Sequence, residues 1–165
     1  MEQINKVKSI SIWIFIIPFV AVNACLILIT QFHEVFPNQK HIIHNTFPYF
    51  DGGTSISRTA RPYPSWLIFK PAMFLTSYFL IKYWIYNKRI IEFFDQEHKH
   101  KTKILFFGIA SAIALTIHSI FLGIKFDNDL YKLFRRVIML SFIVFEIVAQ
   151  AYLVASFYSF KNKLE

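Results

Sequence analysis

Four apolar runs divide this chain, at roughly 9–30, 65–86, 104–124 and 137–159. Each has about the 20 residues that a helix needs to cross the hydrocarbon core of a bilayer. Polar segments separate them, so the pattern predicts an all-α integral membrane four-helix bundle, with residues 1–165 as a single transmembrane domain. The first helix is expected from Ser9 to about Thr30, with Pro18 and Asn23 inside it. The second starts after Pro64, with Ser65 as N-cap and Trp66 as an interface anchor. It carries Pro71 near its start, ends in the aromatic and basic belt from Lys82 to Arg89, and continues past the bilayer toward Phe94. The third is expected from Ile104 to Ile124. Asp127-Asn128-Asp129 then makes a polar turn into a fourth helix from about Leu133 to Phe160, with Arg135 and Arg136 in its first turn.

Composition supports this reading. Of 165 residues, 55% are hydrophobic and 20 are Phe, more large apolar surface than a soluble domain of this size can bury. The net charge of +8 would suggest nucleic acid in a soluble protein. Here the basic residues flank the apolar runs, where they meet anionic headgroups, and no basic helix or zinc-finger spacing points to nucleic acid. The single cysteine, Cys25, lies in the first run and reads as a small buried apolar residue. That run exceeds the apolar length of a signal peptide and lacks an Ala-x-Ala site, so a retained helix is expected.

With both termini on the cytoplasmic side, the inner segments hold ten Lys and Arg residues and the outer segments eight. This small excess orients the chain N-in and C-in and places the long loop at 31–64 outside the cytoplasm.

That loop contains His33, His41 and His44, the aromatic stretch Phe47-Pro48-Tyr49-Phe50, and the turn signal Asp51-Gly52-Gly53. Ser55 or Ser57 with His41 or His44 and Asp51 has the residue types of a hydrolase triad, but no nucleophile elbow surrounds either serine. The three histidines lack a recognisable metal-ligand box, so neither a catalytic nor a metal site is assigned. Arg58 and Arg61 are more informative. They lie just above the second run, with Lys70 one layer deeper, and arginine matches phosphate bidentately. Ser55, Ser57, Arg58, Arg61 and Lys70 therefore form the candidate headgroup site.

A second group lies within the membrane. Glu146 sits near the middle of the fourth run, roughly 13 Å from its outer end, where a carboxylate requires a protein partner or protonation. Gln150 is one turn away on the same face. His118, Thr76, Ser77 and Ser111 lie at depths that allow one outward-opening polar pocket among the second, third and fourth helices. The alternative is a structural Glu146–Gln150 clamp, with Lys70 snorkelling to the surface.

Thr54-Ser55-Ile56-Ser57, followed by Arg61-Pro62-Tyr63-Pro64-Ser65-Trp66-Leu67-Ile68-Phe69, resembles the Frag1/DRAM/Sfk1 group of multi-spanning membrane proteins. The matching positions are Ser55, Ile56, Ser57, Pro62, Pro64 and Phe69. The resemblance covers about residues 9–86, and the group typically has six spans where this chain has four. It implies a lipid-associated or regulatory role more than an enzyme.

The sequence thus reads as a non-catalytic multi-pass membrane protein that recognises an anionic headgroup through its 51–70 region. No cofactor is expected beyond a bound phospholipid or glycolipid. Membrane lipids, a larger membrane complex or further copies of the chain are the expected partners, and nucleic acid is not. The alternatives are an accessory subunit of a larger membrane complex and a small oligomeric transporter.

Overall fold

Glu2 opens a helix that continues unbroken to Gln31 and is the first of four long helices in the computed structural model of the chain. The structure describes residues 2–38, 43, 49–50, 55–124 and 128–164, without the side chains of Ser57 and 161–164. The expected Asp51-Gly52-Gly53 turn, His41 and His44 lie outside the described residues. The elements are α1 (Glu2–Gln31), a 3-10 turn (His33–Val35), α2 (Ile56–Thr59), α3 (Ser65–Phe94), α4 (Lys101–Phe121) and α5 (Asp129–Leu164).

The described residues are helical wherever they are regular, in keeping with four apolar runs. Three of the long helices, α1, α4 and α5, are long and apolar enough to cross a membrane, with mean hydropathy of 2.7, 2.1 and 2.2 over an apolar stretch of 18 residues in each. The fourth, α3, has 30 residues but is more polar, with Lys70, Thr76, Ser77 and Lys82 along it. The chain is a multi-pass, all-α membrane protein.

α1, α3 and α5 extend beyond the apolar runs because interfacial polar residues still form helix, whereas α4 starts earlier, at Lys101, and ends at Phe121 rather than at the expected Ile124, because Gly123 turns the chain. As expected, α3 reaches Phe94. α5 begins at Asp129, four residues before the expected start, because Asn128 Oδ1 accepts the Leu130 N–H at 3.0 Å, as an N-cap does. Ser65 is not the cap of α3. It is the first helical residue, while the carbonyls of Pro62 and Pro64 accept the N–H groups of Trp66 and Leu67.

Pairing follows chain order. α3 packs on α1 and on α4, α5 packs on α4, and α3 meets α5 only lightly. The sequence is compatible with a symmetric bundle, whereas the structure has a central α3–α4 pair with α1 and α5 as flanks. Directions follow from named contacts. The Cys25 thiol near the end of α1 lies 3.4 Å from the Ser65 carbonyl at the start of α3, and Lys6 sits over the Tyr86 ring near the end of α3. These two contacts make α1 and α3 antiparallel. Phe94 stacks on Phe160, so α3 and α5 run the same way.

Small residues explain the close approach of α4. Its buried face carries Gly108, Ser111, Ala112 and Ser119, and Gly108 and Ala112 stand four apart, as small residues do where membrane helices pack closely. One core cluster joins Leu80, Trp84, Ile104, Ala112 and Leu153 toward the end that holds Phe94 and Phe160. Another joins Cys25, Ala60, Phe69, Met73, Leu115 and Leu122 toward the opposite end, where α3 starts. Ala60 is completely buried, so the segment between α2 and α3 is part of the packed protein.

Candidate functional site

Glu146 lies within α5 against the α3–α4 pair. Its Oε2 accepts a hydrogen bond from the Trp84 indole Nε1 at 3.3 Å, and its Oε1 accepts one from the Gln150 amide at 3.0 Å. The Ser111 hydroxyl is 2.7 Å from Oε2 and 2.8 Å from the Gly108 carbonyl. A carboxyl group at this depth is destabilised by several kcal/mol unless protein groups replace water. Here a tryptophan from α3, a serine from α4 and an amide from α5 do so, which closes a three-helix junction.

Trp84 was expected in the interfacial belt. It is instead fully buried, because α4 offers Gly108 beneath the ring. A Cβ on Gly108 would fall 2.2 Å from the indole, so only glycine permits this contact. The belt itself forms around other rings, with Lys6 and Arg89 over Tyr86 and Lys82 over Tyr78.

The six residues expected to share one polar pocket separate. Glu146, Gln150 and Ser111 meet. Thr76 and Ser77 donate to the Ala72 and Met73 carbonyls of their own helix, at 2.8 and 2.9 Å. Those hydroxyls are satisfied one turn back along α3, which is the usual solution for Ser and Thr inside membrane helices. His118 sits in the last turn of α4, within electrostatic reach of Arg135 and Arg61.

The candidate headgroup residues also divide. Arg58 is exposed on α2, and Arg61 is exposed on the turn that follows. Between them, Thr59 and Ala60 are fully buried and pin the segment to the bundle. Ser55 precedes α2, where its carbonyl accepts the Arg58 and Thr59 N–H groups, and the Ser57 side chain lies outside the described residues. Lys70 faces inward. Its ammonium donates to the Ile120 carbonyl at 3.2 Å, capping the end of α4, with the Trp66 ring 5.5 Å away.

A third cluster, at the end where Phe94 stacks on Phe160, carries no signal in the sequence. His98 Nε2 lies 2.9 Å from Ser156 Oγ, and His98 Nδ1 lies 3.5 Å from Asp95 Oδ2. These are the residue types of a catalytic triad, separated by 58 residues at their widest contact, so no local motif marks them. Ser156 is fully buried, and its hydroxyl also lies 2.8 Å from the Tyr152 carbonyl. A sealed nucleophile meets no substrate. With the hydroxyl proton on that carbonyl, the imidazole N–H donates to Ser156, so the trio ties the α3–α4 turn to α5.

Among the described residues, no group of three or more His, Cys, Asp or Glu could hold a metal ion. Asn23 finds its protein partner in the Tyr49 hydroxyl, which binds the long loop to α1. Comparison with protein-family models, with curated proteins and with solved structures finds no match. Fold and site together define a multi-pass α-helical membrane protein with a hydrogen-bonded carboxyl group between three helices and exposed arginines at one end.

Proposed function

We propose that this protein has a non-catalytic, lipid-associated role, in which its outer end recognises an anionic headgroup. The observation that carries the reading is the anchoring of the 55–64 segment. Thr59 and Ala60 are buried while Arg58 and Arg61 remain exposed, so two guanidinium groups are held at the rim by packed backbone. Pre-organised arginine forks suit phosphate better than a mobile loop does. In this reading α3 is the fourth span. Its Lys70 is tolerated because the Ile120 carbonyl receives its charge at the membrane edge. The N-in, C-in orientation follows from the Lys and Arg bias. The Ser-Ile-Ser and Pro-Tyr-Pro resemblance to the Frag1/DRAM/Sfk1 group belongs to the same proposal. The test is lipid retention by wild type, by Arg58→Lys/Arg61→Lys and by Arg58→Ala/Arg61→Ala, compared at equal folding and salt. Loss in both variants supports a fork-dependent site. Equal retention in all three removes the reading.

A second reading, an accessory subunit or homo-oligomer, draws on α5. Leu133, Leu140, Ile147 and Val154 recur every seven residues, with Val137 and Val144 between them, and all six are exposed. That spacing is the seam of a helix pair. Native mass spectrometry of gently extracted protein separates the readings, since a stoichiometric partner chain supports the second and a retained anionic lipid the first.

A further inference from the structure

We infer that Arg135 and His118 complete, together with Arg61, a binding site for a phosphate group where the α4–α5 turn meets the 58–64 segment. The inference rests on the headgroup reading and extends it to two residues of the bundle itself.

The geometry begins at Gly123, whose φ of +89° turns the chain after α4. The Arg61 carbonyl lies 3.3 Å from where a Cβ at Gly123 would stand, so the loop segment rests directly on this turn. The Tyr131 hydroxyl is 3.0 Å from the Phe121 carbonyl and 3.2 Å from that of Ile124, which fastens the first turn of α5 to the end of α4. Arg135 follows one turn later, its guanidinium 6.0 Å from the Tyr131 ring centroid. His118 comes from the last turn of α4. Three elements thus deliver two guanidinium groups and an imidazole to one end of the protein.

The charge of Arg135 and the unpartnered atoms of Arg135 and His118 suit an anion. Partial burial and the charge of Arg135 both press the Arg61 guanidinium below its ordinary value, so the two cations are near enough to repel. Arg135 Nε and His118 Nδ1 are both buried and have no hydrogen-bond partner. A buried unpaired polar atom is destabilising, and one on a cation more so. A phosphate monoester carries about −1.5 to −2 charge and three acceptor oxygens, enough to engage both forks and the imidazole at once. The Tyr131 and Phe134 rings stack beside Arg135 and suit a ligand that enters from the membrane interface. The chemistry is that of phosphate, whether on a lipid or free.

The experiment uses the full chain in nanodiscs of phosphatidylcholine, with and without phosphatidic acid, and inorganic phosphate as a soluble competitor. Arg135→Gln is expected to weaken phosphatidic acid binding about tenfold or more, as loss of a charge-assisted hydrogen bond does. Arg135→Lys falls between, and His118→Gln weakens binding several-fold. Arg136→Gln, which removes the same charge from the next and exposed position, changes binding less than about twofold. Equal thermal midpoints guard against misfolding, and Arg135→Lys keeps the test open if Arg135→Gln fails to fold. Competition by inorganic phosphate shows a site that accepts phosphate from either source, and binding without competition shows a site for the lipid form. Equal effects of Arg135→Gln and Arg136→Gln overturn the inference. So does a variant that loses thermal stability but keeps its lipid, because the counter-ion is then internal. If Arg58→Ala/Arg61→Ala loses lipid while Arg135→Gln does not, the headgroup reading stands and this extension falls. If neither loses lipid, both fall.

Discussion

Trp84 lies against Gly108 so closely that the glycine has no room for a side chain: its Cβ would come within 2.2 to 2.5 Å of three indole atoms. The same indole reaches over α4 to donate to Glu146 on α5. One glycine on the central helix thus sets the distance between the other two partners of the polar junction.

Gly108→Ala is therefore expected to push the indole aside and break its hydrogen bond to Glu146. Overpacking of this kind costs about 1–3 kcal/mol. The measurement is the thermal midpoint together with tryptophan fluorescence. An unchanged midpoint and spectrum would show that the helices move apart without loss.

Glu146→Gln is expected to leave the fold nearly unchanged. With the amide oxygen in the Oε2 place it still accepts from Trp84 and Ser111, and the amide NH2 in the Oε1 place donates to the Gln150 side-chain oxygen once that amide turns over. Glu146→Leu leaves the Trp84 N–H and the Gln150 amide without their acceptor, at about 1–3 kcal/mol for each group. Detergent-resistant thermal unfolding of the two variants gives the comparison. A leucine variant as stable as the glutamine one would mean that the junction contributes no net stability.

Topology is testable because native Cys25 is fully buried and gives little labelling background. Ser55→Cys should react with an impermeant maleimide from outside intact cells, and Lys99→Cys only after permeabilisation. The reverse pattern would turn the protein over and place Arg58 and Arg61 in the cytoplasm.

His100 supplies a pH dependence. Burial, then the charges of Lys99, His98 and Lys103, holds its imidazole below the ordinary histidine value. The unfolded chain thus binds a proton near pH 6.5 that the folded chain resists. This contribution to stability is fully present above about pH 6.5 and is lost as pH falls through the window below it. His100→Gln should flatten the fall of the thermal midpoint between about pH 7 and 5. Parallel curves for wild type and variant would assign the fall to other groups.

Much of the fold was legible because crossing a bilayer demands a long apolar run, and Glu146 with Gln150 was legible because residues four apart share a helix face. The charged flanks showed where helices meet water. The sequence did not show which face of each helix meets which neighbour. In a chain whose helices are apolar on nearly every side, periodicity no longer separates core from surroundings.

The sequence by itself therefore determined the four long helices, the pairing of Glu146 with Gln150 and the basic flanks, all set by hydropathy and local spacing. Tertiary structure alone decided that Trp84 turns inward over Gly108, that Lys70 serves the Ile120 carbonyl, and that Ala60 docks the loop beside Leu122. It also brought Arg135 and His118 toward Arg61 through the turn at Gly123. These are contacts between distant parts of the chain, chosen by small residues that let helices approach and by polar groups that must find a partner where water is absent.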